Sequence, residues 1–178
     1  MGFTPTDFEQ FVATRSSTLL RSAYLLCGGD RGAAEDLLQD VLERMYPRWQ
    51  RIRGEPEAYA RAAMVNGAAN RWRLKSRRVH EAPLDAAASE GTASPEREVA
   101  DRDLIVRALA ALPAKTRAVL VLRFFDDLSE AQTAAALGCS VGTIKSQTSR
   151  GISKLRELLG KGHENENPRA VLHANREG

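Results

Sequence analysis

Between Arg123 and Arg156 the apolar positions repeat in two helical registers separated by a short break, RFFDDLSEAQTAAALGCSVGTIKSQTSRGISKLR. Ser129 stands before the first register with Gln132 three positions on, a spacing at which hydroxyl and amide satisfy the free N–H groups of a helix start. Gly138 ends the stretch, because it takes the left-handed conformation that closes a helix without steric cost. Ser140 then caps a longer helix in which Val141, Ile144, Ile152, Leu155 and Leu159 recur on one side. At about 100° per residue, Gly142, Ser146, Ser149, Arg150 and Ser153 fall within about 60° of the opposite pole, flanked by Lys145 and Gln147. Slim residues with a few long donors suit a helix that enters the major groove, where Arg reads guanine, Gln reads adenine and Lys meets phosphate or guanine. A plain amphipathic hairpin with a solvated outer face has the same periodicity. Ala134 at the expected crossing, the short turn, and Lys145, Arg150 and Lys154 with no acid before Glu157 favour a DNA-binding helix-turn-helix.

The first part of the chain carries three more helical patterns. Thr6 is positioned to cap the first, which turns Phe8, Phe11, Val12, Leu19, Ala23 and Leu26 towards a core until Gly28 and Gly29 stop it. Asp30 opens the second, with Ala34, Leu37, Leu38, Val41, Leu42 and Met45 as its apolar stripe. Glu35, Asp36, Gln39, Asp40 and Glu43 give it an acidic flank, which taken alone reads as a solvated face. The third begins near Pro56, a residue favoured in a first turn, and runs through Tyr59, Met64 and Trp72 into RWRLKSRR at residues 71 to 78. Asn66 and Asn70 lie four apart on it, and the interleaved Trp72 adds a surface on which an unstacked base can rest. A basic helix end also arises simply because cations suit the negative end of the helix dipole.

Composition narrows the class. Aromatic residues make up 6% and charged residues 28% of the 178, and the scarcity of β-branched runs leaves no place for a sheet, so an all-α fold is expected. Acids dominate from Glu81 to Asp103, and Ala, Ser, Pro and Gly crowd the first part of that stretch, which predicts an acidic flexible linker over residues 81–99. The chain thus divides into an N-terminal unit, 1–80, and a C-terminal unit, 100–160, with a polar tail at 161–178 that is expected to be disordered, a short helix at 170–174 being the alternative. Cys27 and Cys139 are isolated, so no metal site and no disulfide scaffold is expected. Asp7 and Glu9 interrupt what a signal peptide would need to be apolar, and no stretch is long enough for a membrane span, so a cytoplasmic protein without membrane insertion is expected.

Taken in order, GAAEDLLQDVLERMYPRW, PEAYARAAMVNGAANRWRLKSRR, the acidic linker and LPAKTRAVLVLRFFDDLSEAQTAAALGCSVGTIKSQTSRGISKLREL resemble the extracytoplasmic function (group 4) RNA polymerase sigma factors of the sigma-70 family, in the SigE-like actinobacterial branch. That resemblance implies two small helical domains, sigma-2 and sigma-4, and a non-enzymatic role in which the protein binds core RNA polymerase and directs it to promoter DNA. It implies docking on the polymerase clamp helices through Asp36, Gln39, Asp40 and Glu43. It places capture of a single-stranded −10 element on Arg53, Tyr59, Asn66, Asn70, Trp72 and Arg73. Reading of the −35 element falls to Arg123, Ser140, Thr143, Lys145, Ser146, Gln147, Ser149 and Arg150. An anti-sigma factor is an implied partner; no cofactor and no small-molecule substrate are implied.

The chain departs from the family pattern in places. ARAAM at residues 60–64 lacks the aromatic of many sigma-2 domains, Asn70 stands where an Asp is common, and Thr133 replaces an apolar residue, which predicts a thinner core. Gly67 is expected to weaken its helix by about 0.5 to 1 kcal/mol relative to Ala. Promoter elements about 16 base pairs apart are separated by about 54 Å. A linker of about 15 to 20 extended residues reaches at most about 50 to 70 Å, enough for both units to bind together. The same linker predicts a compact free form in which the units fold together and hide both DNA faces. Two other functions are consistent with parts of the pattern: a stand-alone helix-turn-helix regulator of duplex DNA with residues 1–80 as sensor or dimerisation module, and a bridging adaptor. Catalysis has little support, since His80, His163 and His173 lie in the linker or tail with no nucleophile at readable spacing.

Overall fold

A computed structural model of the chain describes residues 5–81 and 98–159. The greater part of the expected linker and the whole of the 161–178 tail, where a short helix was the alternative, lie outside the described residues. The described regular elements are helical, as expected: α1 (Pro5–Leu26), α2 (Arg31–Met45), a 3-10 turn (Tyr46–Arg51), α3 (Pro56–Glu81), α4 (Glu98–Ala110), α5 (Ala114–Leu120), a π-helical turn (Val121–Phe125), α6 (Glu130–Leu137) and α7 (Val141–Leu159).

Local signals set most of the helix ends. Asp30 caps α2 by accepting from the Ala33 N–H at 2.9 Å, and α3 begins at Pro56. Ser129 and Gln132 form the full reciprocal capping box of α6, and Gly138 closes that helix in the left-handed region. Thr6 does not cap α1, which already starts at Pro5; a proline fits the first turn because its missing N–H would be unpaired there anyway. α3 is described as far as Glu81 and α4 from Glu98.

The core of the first unit is built from Leu19, Ala23 and Leu26 of α1, Leu37, Leu38, Val41 and Met45 of α2, and Ala60, Met64 and Val65 of α3. Trp49 of the 3-10 turn closes its end, with Phe8 and Phe11 packed against it at ring-centroid distances of 5.1 and 5.2 Å. Gly67 has a packing purpose here: a Cβ on it would stand 2.5 Å from Leu37 Cδ1, so the missing side chain lets α3 lie close on α2. In the second unit Thr133 is fully buried without being unsatisfied, because its hydroxyl donates to the Ser129 carbonyl at 2.9 Å. Ala134 lies under Ile144 where α6 and α7 cross.

The two units share one continuous hydrophobic core. α6 and α5 pack on α3, and α4 and the π-helical turn pack on α1. The turn ends at Asp126, whose carboxylate is only 1% exposed. It accepts from the Ser22 hydroxyl of α1 at 2.6 Å and forms an ion pair with Arg61 Nε of α3 at 3.5 Å. Arg61 is itself held by Glu57 at 2.6 Å, and Glu57 by Arg15 at 3.4 Å. Gly28 and Gly29, both at positive φ, close α1 where the second unit approaches most tightly: Ala110 and the buried Arg117 lie over Gly28, and Val106 over Gly29.

Gly67→Ala is expected to destabilise the protein by about 1 to 3 kcal/mol, despite alanine's better helix propensity, because Leu37 is fully buried and cannot yield. Urea unfolding followed by circular dichroism measures this; a neutral or stabilised variant would contradict the close-packing role. Asp126→Ala is expected to cost about 3 kcal/mol, the low end for a broken buried pair since Glu57 still holds Arg61. Small-angle scattering should show the variant expanded relative to the parent chain at unchanged helix content, and equal dimensions would dismiss the Asp126 seat as the domain lock.

Candidate nucleic-acid interface

Three surfaces carry the chemistry. The first is the outer side of α7, where Gly142, Lys145, Ser146, Ser149, Arg150 and Ser153 are all exposed, as the helical period predicts. Their positions are fixed from beneath by Ile144 and Leu155, which are buried against the second unit. Ser140 caps the helix, accepting from the Thr143 N–H at 3.1 Å, while the two hydroxyls lie 2.9 Å apart. Ser146 donates to the Thr143 carbonyl at 3.0 Å.

Two of the sequence expectations for this helix are corrected. Gln147, expected beside the outward face, is half-buried and accepts a hydrogen bond from the Thr116 hydroxyl of α5 at 2.7 Å. Val141, expected on the buried side, is 38% exposed at the first position of the helix. The face is also less purely cationic than its own sequence suggests. Glu130 of α6 comes within 3.9 Å of Lys145, and Glu157 pairs with Lys154 at 2.8 Å. Arg123 is half-buried in the turn before α6, donating through Nη1 to the Leu128 carbonyl.

The second surface is on α3. Counting about 100° per residue, Tyr59, Asn66, Asn70 and Arg73 fall within about 60° of one another along about 21 Å of helix. All four are exposed, so the helix presents one polar stripe with an aromatic at its start and a cation near its end. Trp72 is 49% exposed but belongs to another side of the helix, so the structure does not bring it into that stripe. Beside Tyr59, an open cavity of about 280 Å³ is lined by Arg48, Arg51, Ile52, Arg53 and Tyr59. Arg48 and Arg51 were not among the sequence candidates. The clustering of three arginines in PRWQRIR is the signal that points to them, and the 3-10 turn is what gathers them round one hollow.

The third surface is the acidic flank of α2. Asp36 is 75% exposed on its side chain, Gln39 and Glu43 are exposed and joined by a 3.0 Å hydrogen bond, and Asp40 is partly covered. Arg71 of α3 reaches across to bond Asp40 at 2.6 Å and approaches Asp36 at 3.7 Å. At the end of α1, partial burial pushes the Cys27 thiol above its ordinary value, and Asp30 pushes it the same way, with Arg71 and Arg117 acting in opposition. Such a thiol stays protonated and unreactive at neutral pH. Among the described residues no cluster of His, Cys, Asp and Glu has the geometry of a metal site, and no helix is long and apolar enough to cross a membrane.

Residues 11–78 match the model of sigma-70 region 2, and residues 102–155 match that of sigma-70 region 4. The chain is 40% identical over 155 residues to the RNA polymerase sigma-E factor of Streptomyces coelicolor, covering 86% of each protein. The chain belongs to the sigma-70 family. Within it, the chain is of the extracytoplasmic function (ECF) type: the ECF RNA polymerase sigma factor SigL of Mycobacterium tuberculosis is 34% identical over 138 residues, which cover 74% of this chain and 77% of that one. The sigma factor RpoE of Bartonella quintana, solved in complex with the anti-sigma factor NepR, superposes with a TM-score of 0.72 at 25% identity over 90% of this chain and 99% of that one. CnrH, solved with the cytosolic domain of CnrY, has the same fold, with a TM-score of 0.65 at 21% identity over 88% and 89% of the two chains.

The structure also corrects what closure of a sigma factor of this shape was expected to do. The units do pack together, yet Arg53, Tyr59, Asn66, Asn70 and Arg73 remain exposed, as do Lys145, Ser146, Ser149 and Arg150. The contact between units uses Asp126, Arg61 and Ser22 instead, so neither set of residues is hidden.

Arg150→Ala is expected to weaken binding of −35 promoter DNA in the presence of core polymerase by about 1 to 3 kcal/mol, the loss of one bidentate base contact. Gln147→Ala should leave −35 sequence preference unchanged, because its side chain is engaged with Thr116. Competition binding against a panel of −35 variants measures both, and an altered preference in the Gln147 variant would show that the glutamine turns outward on DNA.

Proposed function

We propose that this protein is an alternative sigma factor whose −35 contacts come from the outer face of α7 and whose −10 contacts come from the α3 stripe and the arginine-lined hollow beside Tyr59. The observation that carries this reading is the presence on one chain of two exposed faces with different nucleic-acid chemistry. The α7 face is slim and polar, suited to a duplex groove. The α3 face combines Tyr59, two asparagines and a pocket of arginines, suited to a separated strand whose bases are held out of the stack. Arg123 is assigned to a phosphate, and Ser140 and Thr143 to the sugar–phosphate edge at the start of α7.

The acidic flank of α2, Asp36, Gln39, Asp40 and Glu43, is assigned to docking on the clamp helices of core polymerase. A stand-alone duplex regulator has no use for such a flank and is the less favoured reading. The chain is assigned a sigma-2 unit at 1–80, a linker at 81–99, a sigma-4 unit at 100–160 and a tail at 161–178. The protein acts in the cytoplasm by binding and carries out no catalysis of its own. The Bartonella relative is held by an anti-sigma factor, and a partner of that kind is proposed here too. Elements about 54 Å apart require the units to separate. The Asp126 seat is then the contact that gives way when the protein joins polymerase on a promoter.

Transcription in vitro from a promoter library with purified core polymerase tests the reading: transcripts that start only when this protein is added are expected, and none would sink it. Asp36→Ala combined with Gln39→Ala should weaken core binding by at least about 1 kcal/mol while the promoter preference of the remaining transcripts is unchanged. A shift in preference with unaltered core affinity would move these residues to the DNA side.

A further inference from the structure

Arg71 occupies a border position. One turn beyond Gly67, it faces α2, and its two terminal nitrogens reach Asp40 Oδ2 at 2.6 Å and Asp36 Oδ2 at 3.7 Å. The residues on either side of it, Asn70 and Trp72, are exposed, and Arg73 completes the polar stripe of α3. One cation therefore stands between two acids assigned to polymerase and a face assigned to promoter DNA. It can serve one of them fully only by leaving the other.

We propose that Arg71 is a shared counter-ion that couples the two faces of the sigma-2 unit. This rests on the polymerase and −10 assignments of the preceding section. In the free protein Arg71 neutralises Asp36 and Asp40, which lowers the negative potential of the docking face and the positive potential of the α3 face together. When a cationic surface of core polymerase takes over the two carboxylates, the guanidinium is released towards the strand lying along α3. The length and flexibility of the arginine stem allow that movement without any shift of helix. By thermodynamic reciprocity, DNA that draws Arg71 away must strengthen polymerase binding by the same factor that polymerase strengthens DNA binding.

The size of the effect follows from exposure. Arg71 retains 34% of its side-chain accessibility and Asp40 43%, so the pair is partly screened by solvent and its rearrangement yields a modest coupling. About two- to five-fold is the range for such a pair. Arg44 lies 3.9 Å from Asp40 and offers partial compensation, which also keeps the effect small.

The test measures the affinity of the full-length protein for core polymerase with and without a saturating single-stranded −10 oligonucleotide, for the parent chain, Arg71→Gln and Arg71→Lys. Arg71→Gln should bind core about two- to five-fold more tightly without DNA, since its docking acids are no longer neutralised, and the gain on adding the oligonucleotide should shrink by a similar factor. Arg71→Lys keeps the charge and should restore most of both values. Raising the salt concentration should reduce the difference between parent and glutamine variant, as it would for a partly exposed ion pair. Equal or weaker core binding by the glutamine variant, or an unchanged oligonucleotide gain, overturns the proposal. A parent chain that does not bind core at all removes the sigma-factor reading and the proposal with it, an outcome distinct from failure of Arg71 alone.

Discussion

The seating of α3 is the constraint on which the other features depend. This helix has neighbours on two sides and an exposed polar stripe on the third. Its helical period divides the work: Ala60, Met64, Gly67 and Arg71 lie towards α2, Arg61 and Ala68 towards the second unit, and Tyr59, Asn66, Asn70 and Arg73 outward. Gly67 sets how near α3 comes to α2, because Leu37 fills the space a side chain would need. That approach brings Arg71 within reach of Asp40, and it holds Arg61 where Asp126 can find it. A bulkier residue at one glycine would therefore disturb the core, the acid flank and the contact between units together.

Charge is distributed so that cations near a reading or docking face often have an acid close by. Arg71 has Asp40 and Asp36, Arg61 has Glu57 and Asp126, and Lys145 has Glu130. These contacts differ in what they are worth. Lys145 with Glu130 is long and exposed, contributes little, and yields readily to a phosphate. Asp126 is buried, so losing its partners leaves a desolvated carboxylate and costs several kcal/mol. The hierarchy separates function from architecture: the weak pairs sit on faces that must change partner, and the strong one sits where the two units meet. Arg117 is a different case: burial lowers its pKa below the ordinary value, against the effect of Cys27, yet a guanidinium with so high an ordinary pKa stays charged.

How much was legible in the chain depended on how far apart the interacting residues are. Asp30, Ser129 with Gln132, Gly138 and Ser140 act within a few positions of themselves, and their spacing alone predicted the helix ends they form. The outward set on α7 was equally legible, because period fixes direction once Ile144 and Leu155 are known to be buried. Gln147 was not, since the partner that turns it inward, Thr116, is thirty-one residues away on another helix. Arg48 and Arg51 needed the 3-10 turn to converge on one cavity, and a six-residue turn of that kind leaves no clear periodicity. Thr133 reads as a defect by residue type and is not one, because a hydroxyl in a helix can return its hydrogen bond to the carbonyl four positions back.

The exposure of both faces proposed to read DNA changes what closure can regulate. A form that buried α7 and the α3 stripe would control access to DNA, and its opening would be needed before any base was touched. Here the buried contact runs through Asp126, Arg61 and Ser22, while Arg150 and Asn66 stay in solvent. Each face can meet its own element in the closed protein, but with the units packed as one body their separation is fixed. Closure then acts on span, and two weak contacts that cannot be made on the same DNA gain nothing from being on one chain. On the proposed function, polymerase supplies the missing term by holding the units apart. Promoter specificity on this account resides in the distance between two faces as well as in the contacts each makes.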